Sequence, residues 1–412
     1  MTAALCRFCR TPLVHTFLDL GRQPLANSYL TAEQLAAGTE RSYPLHVRVC
    51  DACFLVQADD AVPADAIFDD AYAYFSSYST SWVEHARRYA AAMTERFGLG
   101  PESLVVEVAS NDGYLLQHFV DMDIPVLGIE PTANTAETAI ARGVPTEVMF
   151  FGEATGRMLA ARGLRADLMA ANNVLAHVPD IGDFVAGFRE VLKDEGVLTF
   201  EFPHLLNLIE KVQFDTIYHE HYSYLSLLAV EQVLRAKGLR PFDVERLSTH
   251  GGSLRLFCAH VGSGHEETDA LRRLRADEDV AGLGRIETYA GFAPRVEAVR
   301  DSFRAFLASE KAAGRKLAAY GAAAKGNTFL NYCGTTTDDI VAVFDASPAK
   351  QGRFLPGSHL PILSPEAVRQ VRPDDLLILP WNLKDEIMGQ MAFIRDWGGR
   401  FVTASPTTSI LE

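Results

Sequence analysis

The stretch Leu104-Val-Val-Glu-Val-Ala-Ser-Asn-Asp-Gly113 decides the fold. Its β-branched run reads as a buried strand, and Ser110-Asn-Asp-Gly113 as the turn that closes it. Tyr114-Leu-Leu116 then resumes at helical spacing with His118, Phe119 and Val120. Strand, glycine-containing turn and helix form the opening unit of a parallel α/β sheet. Upstream, Trp82, Val83, Ala86, Tyr89, Ala90 and Met93 predict an amphipathic helix over 81–97. Downstream, Val126–Ile129, Leu168–Ala171 and Gly196–Phe202 read as strands, with helices predicted over 134–142 and 181–192. Four strands separated by helices predict a doubly wound domain.

Past residue 246 the pattern restarts. Leu254–Ala259 alternates like a strand, 270–307 reads as one long charged helix, and Leu317–Gly326 repeats the strand–turn–helix unit. Ile340–Asp345 and Leu376–Leu379 are further predicted strands. The predicted class is α/β, in three parts: a small cysteine-bearing domain over 1–65, a central Rossmann-like domain over 66–245, and a second Rossmann-like domain over 246–412.

The chain has 412 residues, with 38 Lys and Arg against 53 Asp and Glu, a net charge of −15. That balance excludes broad binding to nucleic acid or anionic membrane, where clustered cations supply the affinity. No apolar run reaches the roughly 18 residues of a membrane span. Arg7 and Arg10 interrupt the only apolar stretch at the N-terminus, so no signal peptide is read there. A cytoplasmic, soluble protein is expected.

Cys6-Arg-Phe-Cys9 and Cys50-Asp-Ala-Cys53 are two CxxC pairs. Four thiolates complete a tetrahedral zinc site with no open position, which makes the metal structural. A thioredoxin-like βαβ setting, which a redox CxxC needs, surrounds neither pair. Rival ligands nearby are His15 and His46, while Cys258 and Cys333 read as unmetallated.

The turn Glu107, Ala109, Ser110, Asn111, Asp112, Gly113 is not GxGxxG, so a dinucleotide pyrophosphate is poorly served. It suits a cofactor without phosphate that passes close to the backbone. Glu130, followed by Pro131, ends the next strand, where an acid accepts from a ribose diol. Asn172 and Asn173 follow a third strand and frame an adenine or a substrate. Together these features resemble a class I S-adenosylmethionine-dependent methyltransferase. The second turn, Tyr320–Asn327, lacks the Gly-Lys-Ser/Thr ending of a P-loop, yet its glycines, amides and Lys325 suit a phosphate.

Tyr218-His-Glu-His-Tyr222 concentrates ionisable and aromatic groups. Imidazole takes a proton near neutral pH, and Tyr218, Tyr222 and Tyr224 can donate to a developing oxyanion. A two-His-plus-Glu metal site and a plain polar loop are the other readings. Taken in order, the CxxC pairs, Tyr72–Ser79, Glu107–Gly113, Tyr218–Tyr222, His250-Gly-Gly-Ser-Leu-Arg255 and Tyr320–Asn327 resemble the nucleotide-sugar C-methyltransferases of deoxysugar pathways in antibiotic biosynthesis. The resemblance covers essentially the full length.

It implies a zinc-binding N-terminal domain, a central methyltransferase domain that binds S-adenosylmethionine, and a C-terminal domain that helps hold a dTDP-linked 4-keto-6-deoxysugar. His221 is then the base beside the ketone, supported by Glu220, Tyr218, His177 and Tyr72. Tyr74 and Ser77 join the cofactor residues already named. Tyr218, Tyr222 and Tyr224 face the sugar. His250, Ser253, Arg255, Lys325, Asn327 and Thr328 take the nucleotide and its phosphates, with Trp381 and Asn382 lining the same cleft. The methylated carbon is C3 or C5, and a monomer or weak oligomer is expected. A nicotinamide-dependent sugar oxidoreductase, an RNA methyltransferase and a non-enzymatic interaction protein are the alternatives.

Overall fold

Strands buried on both faces of a sheet are mostly apolar, and in Val105–Val108 all four residues are buried, the lone acid Glu107 among them. Val105 packs with Ala86, Tyr89 and Met93 on one face, while Val106 packs with Phe184 and Phe188 on the other. In the computed structural model the described residues are 4–62 and 75–411. Their strands, in chain order, begin with β1 (His15–Pro24), β2 (Ser42–Val49) and β3 (Val56–Ala58). The central series is β4 (Val105–Val108), β5 (Val126–Glu130), β6 (Thr146–Val148), β7 (Ala166–Asn172) and β8 (Leu192–Pro203). Next come β9 (Ser223–Tyr224), β10 (Leu239–Leu247) and β11 (Ser253–His260). The last are β12 (Leu317–Tyr320), β13 (Val343–Phe344), β14 (Ile362–Leu363), β15 (Asp375–Ile378), β16 (Arg400–Thr403) and β17 (Ser409–Leu411).

Among the described residues these build three sheets, ordered β1-β2-β3-β9, β10-β11-β8-β7-β4-β5-β6 and β14-β13-β12-β15-β16-β17. In the central sheet β4 pairs in parallel with both β5 and β7. Strand order therefore reverses at β4, and in such sheets the ligand crevice opens beyond the carboxyl ends there. The antiparallel β11 lies between β8 and β10, which completes the class I methyltransferase order. The C-terminal sheet reverses in the same way, with β12 between β13 and β15.

Three expectations need correction. The central sheet runs on through β11, so its last strand ends at His260 and not before residue 246. Strand membership is a matter of distant pairing, which local patterning does not show. The helix predicted over 270–307 is three helices, Asp269–Val280, Ile286–Ala290 and Phe292–Ala312. The first break falls at Gly282, whose φ of 79° no helix accommodates. Finally, only Val343–Phe344 of 340–345 is strand.

The N-terminal sheet is no appendage. Phe17, Leu45 and Val47 share one core with Phe214, Phe292, Phe303, Phe329 and Leu377 from the rest of the chain. Phe17 stacks on Phe292 with ring centroids 4.6 Å apart. No described helix is long and apolar enough to cross a membrane.

Candidate active site

Two matching knuckles carry the cysteines. Arg10 N–H donates to Cys6 O at 3.0 Å, Phe54 N–H donates to Cys50 O at 2.9 Å, and both donors adopt positive φ. The four sulfurs lie within 4.8 Å of one another, with Cys6–Cys53 at 3.6 Å and Cys9–Cys50 at 3.4 Å. Zn–S bonds of about 2.3 Å put tetrahedral sulfurs about 3.8 Å apart, so the set fits one zinc ion. Among the described residues this is the group of His, Cys, Asp and Glu able to hold a metal. Gln57 Nε2 donates to Cys6 Sγ at 3.2 Å, and Gln57 pairs with Ser223 in the sheet. The metal-stapled sheet thus grips the strand just after the histidine loop.

At the β4 turn, Glu130 Oε2 accepts from Asn111 N–H at 2.9 Å and Oε1 from Thr132 N–H at 3.0 Å. Asn111 Oδ1 accepts from Ser76 N–H at 2.9 Å, and Ser77 Oγ donates to Asp112 Oδ2. Arg142 closes this clip on Asp112 at 3.0 Å. Ala109 and Asn111 are held at φ 58° and 50°, conformations that cost an L-residue about 1 kcal/mol or more. Gly113 is required at φ 76°, because a Cβ there would also sit 3.0 Å from Val144. Ser110 Oγ, Asp112 Oδ1, Asn172 Oδ1 and Asn173 Oδ1 are buried with no hydrogen-bond partner among the described residues. Buried polar atoms are nearly always paired, so this cluster fits a polar cofactor lying over the turn. Burial pushes the Glu107 carboxyl well above its ordinary range, with Tyr114 pulling the other way.

His221 sits across the crevice. Its Nδ1 lies 2.8 Å from Thr216 O, and its ring centroid is 4.7 Å from His177 and 4.1 Å from Tyr218. His177 Nδ1 lies 2.8 Å from Glu220 O. Both imidazoles donate to a carbonyl through Nδ1, which leaves Nε2 as the lone-pair nitrogen. Burial, helped by nearby His177, Lys325 and His250, holds His221 well below the usual imidazole range. Burial alone takes His177 down to about 4. Within the same triplet His219 turns away to Pro44 O at 3.2 Å. The two histidines therefore do not share a metal ion.

The C-terminal sheet supplies the third wall. Lys325 Nζ lies 5.2 Å above the Trp381 ring, and Trp381 Nε1–H donates to Asp215 Oδ2 at 2.7 Å. Burial lowers Lys325, opposed by Asp215. His250, at φ 52°, packs on Trp82 with centroids 5.4 Å apart. Asn327 and Thr328 are buried one turn into the helix Ala324–Tyr332, and Asn382 is exposed beside Trp381.

Three predicted sugar or nucleotide contacts are placed otherwise. Arg255 is buried, donating to Glu201 at 3.0 Å and Glu245 at 2.8 Å, so two carboxylates already use its charge. Ser253 Oγ donates to Thr249 O at 3.0 Å. Both stand on β11, which pairs with β8 inside the central sheet. Tyr222 donates to Val62 O at 3.2 Å beneath the Arg7 guanidinium, facing the zinc-binding domain. Tyr224 is buried near His221, with ring centroids 6.1 Å apart. Tyr72 and Tyr74 lie outside the described residues.

Three family models match the chain: a zinc-binding domain over 6–68, a methyltransferase domain over 82–243, and a C-methyltransferase C-terminal domain over 248–406. The C-methyltransferase NovU of Streptomyces niveus is 36% identical over 407 residues, 99% of this chain and 96% of that protein. The chain belongs to the C-methyltransferase family. Two solved methyltransferases each cover less than half of this chain. Magnesium protoporphyrin IX methyltransferase of Synechocystis PCC 6803 is 14% identical, covering 47% of this chain and 91% of its own, at a TM-score of 0.36. An S-adenosylmethionine-dependent methyltransferase of Clostridium acetobutylicum is 10% identical, covering 44% and 92%, also at 0.36. Overlap that low carries no argument.

This C-methyltransferase uses S-adenosylmethionine, and its four cysteines form the zinc site. Membership overturns the oxidoreductase and interaction-protein alternatives. The site also holds residues the motifs did not single out: Asn27 and Tyr29 from the zinc-binding domain, Asp215, and the pair of buried Glu201 with half-buried His85 at 3.0 Å. Their one sequence signal is polar residues in apolar surroundings, as in Leu25-Ala-Asn-Ser-Tyr-Leu30.

Proposed function

We propose that this C-methyltransferase methylates the carbon next to the ketone of a dTDP-4-keto-6-deoxysugar, at C3, with His221 as the base. The observation that carries the reading is the Nδ1–Thr216 O contact of 2.8 Å, which leaves Nε2 of a neutral imidazole ready to accept a proton. A carbon has no lone pair, so it must first lose a proton to become a nucleophile. The adjacent ketone makes this possible by drawing the charge onto oxygen. His221 takes that proton, Tyr218 lies within ring contact to donate to the oxyanion, and His177 supports the base by packing against its ring. Tyr72 is proposed to assist, and Glu220 orients the sugar.

S-adenosylmethionine supplies an electrophilic methyl group carried on a sulfonium. Glu107, Ala109, Ser110, Asn111, Asp112, Gly113, Glu130, Pro131, Asn172 and Asn173 would hold it, with Tyr74 and Ser77 alongside. His250, Lys325, Asn327, Thr328, Trp381 and Asn382 would take the nucleotide, and the Lys325 and His250 side meets its diphosphate. An arriving dianion raises the proton affinity of the nearby imidazoles, bringing His221 closer to the range useful in a base.

The test follows the proton. In deuterium oxide without S-adenosylmethionine, wild-type protein should exchange the C3 hydrogen of the ketosugar. His221→Asn should lose exchange and lower methyl transfer roughly 10²–10⁴-fold while still binding S-adenosylmethionine. Exchange at C5 instead would move the methylation site, and undiminished turnover in His221→Asn would remove the base.

A further inference from the structure

A strap from the zinc-binding domain crosses to the C-terminal domain just beside the histidine loop. Leu30 and Phe354 exchange main-chain hydrogen bonds of 3.0 and 2.9 Å. Tyr29 hydroxyl donates to Ala322 O at 2.6 Å, and Lys350 Nζ lies 5.4 Å over the Tyr29 ring. Ala26 and Leu30 are buried, but Asn27 between them is exposed and extends its amide the other way. Its Nδ2–H donates to Glu220 Oε1 at 2.6 Å, and Tyr29 hydroxyl lies 3.3 Å from its Oδ1.

We propose that Asn27 is a positioning residue for methyl transfer, delivered by the zinc-binding domain to orient Glu220 in the active site. The inference rests on the reading of the site given above. A carboxylate with one short amide bond has one of its oxygens fixed in direction, leaving the other for the sugar. The same residue holds His177 through its main-chain oxygen, and its chain neighbour is His221. A twist at Glu220 therefore reaches both imidazoles. Facing Glu220 are Asn27 and Tyr29 from the strap, while His177 from the segment after β7 meets its main-chain oxygen and His219 and His221 flank it in the chain. Burial raises the Glu220 carboxyl, and the Asn27 bond lowers it.

Two measurements test the assignment in full-length, zinc-loaded protein. The first is the titration of Glu220 by infrared spectroscopy, its carboxyl band identified by its loss in Glu220→Gln. Asn27→Ala should move the midpoint upward, and Asn27→Asp, which adds a like charge, further upward. The second is a cycle on turnover. Asn27→Ala should lower kcat about tenfold with unchanged zinc content and S-adenosylmethionine affinity, and should cost nothing more in a Glu220→Gln background. An unmoved midpoint, or losses that add in the double variant, would overturn the assignment. If wild-type protein methylates no dTDP-4-ketosugar, the functional reading fails. The infrared midpoint still decides whether Asn27 governs Glu220.

Discussion

The turn after β4 and the turn after β12 are built alike and put to different ends. In each, an acid at the end of the next strand hooks the turn. Glu130 accepts from Asn111 and Thr132 N–H, and Asp345 accepts from Ala322 N–H at 2.7 Å and Ser347 N–H at 2.8 Å. In each, a glycine with positive φ lets the chain pass close to a neighbour. At Gly321 a Cβ would come within 2.4 Å of Pro380. The difference lies above the turn. Over β4, buried oxygens of Ser110, Asp112, Asn172 and Asn173 have no partner among the described residues. Over β12, Ala322 O receives both Tyr29 hydroxyl and Lys350 Nζ, the latter at 2.9 Å. One Rossmann-like crevice is the proposed cofactor bed. The other serves also as a joint between domains, where Tyr29 of the zinc-binding domain meets Ala322 O beside Lys350.

Stripping the zinc should strike the β12 turn and the histidine loop together, and this is the largest effect expected. Structural zinc contributes about 10 kcal/mol or more to small domains. Chelation should therefore unfold the N-terminal sheet, free Tyr29 from the β12 turn and abolish methyl transfer. Calorimetry that shows an intact first transition in zinc-free protein would refute the staple. Next in size is the paired substitution at the hooks. Glu130→Ala should weaken S-adenosylmethionine roughly 10–100-fold by titration, whereas Asp345→Ala should leave that affinity within about twofold and lower thermal stability by about 1–3 kcal/mol. Equal losses of affinity in both variants would dissolve the distinction between bed and joint. The smallest effect belongs to Tyr29→Phe, which removes one hydrogen bond worth about 1 kcal/mol. It should lower the melting temperature by a few degrees without altering cofactor affinity.

How much of this was legible from residues alone depends on how far apart the partners lie. The β4 run and its turn are local, and burial on both faces leaves the run apolar but for Glu107. The cysteines are readable across their long spacing because four thiolates at CxxC spacing have few other uses. Arg255 was misread because its meaning depends on which sheet β11 joins, and the pairing with β8 spans about fifty residues. Asn27 and Glu220 are 193 residues apart, and Tyr29 and Ala322 are 293 apart. No periodicity announces such contacts. The break near Gly282 was visible as a glycine, yet the charged pattern on either side masked it.

The pairing of β3 with β9 has a consequence for the order of synthesis. Strand β3 ends at Ala58, whereas its partner Ser223–Tyr224 leaves the ribosome some 165 residues later. Until then the zinc-stapled sheet displays Val56-Gln-Ala58 as a raw edge, and exposed edges invite pairing with other chains. Early metal capture would set the sheet's shape during that interval. The nascent chain must keep this edge unspoiled until the histidine loop arrives to cover it.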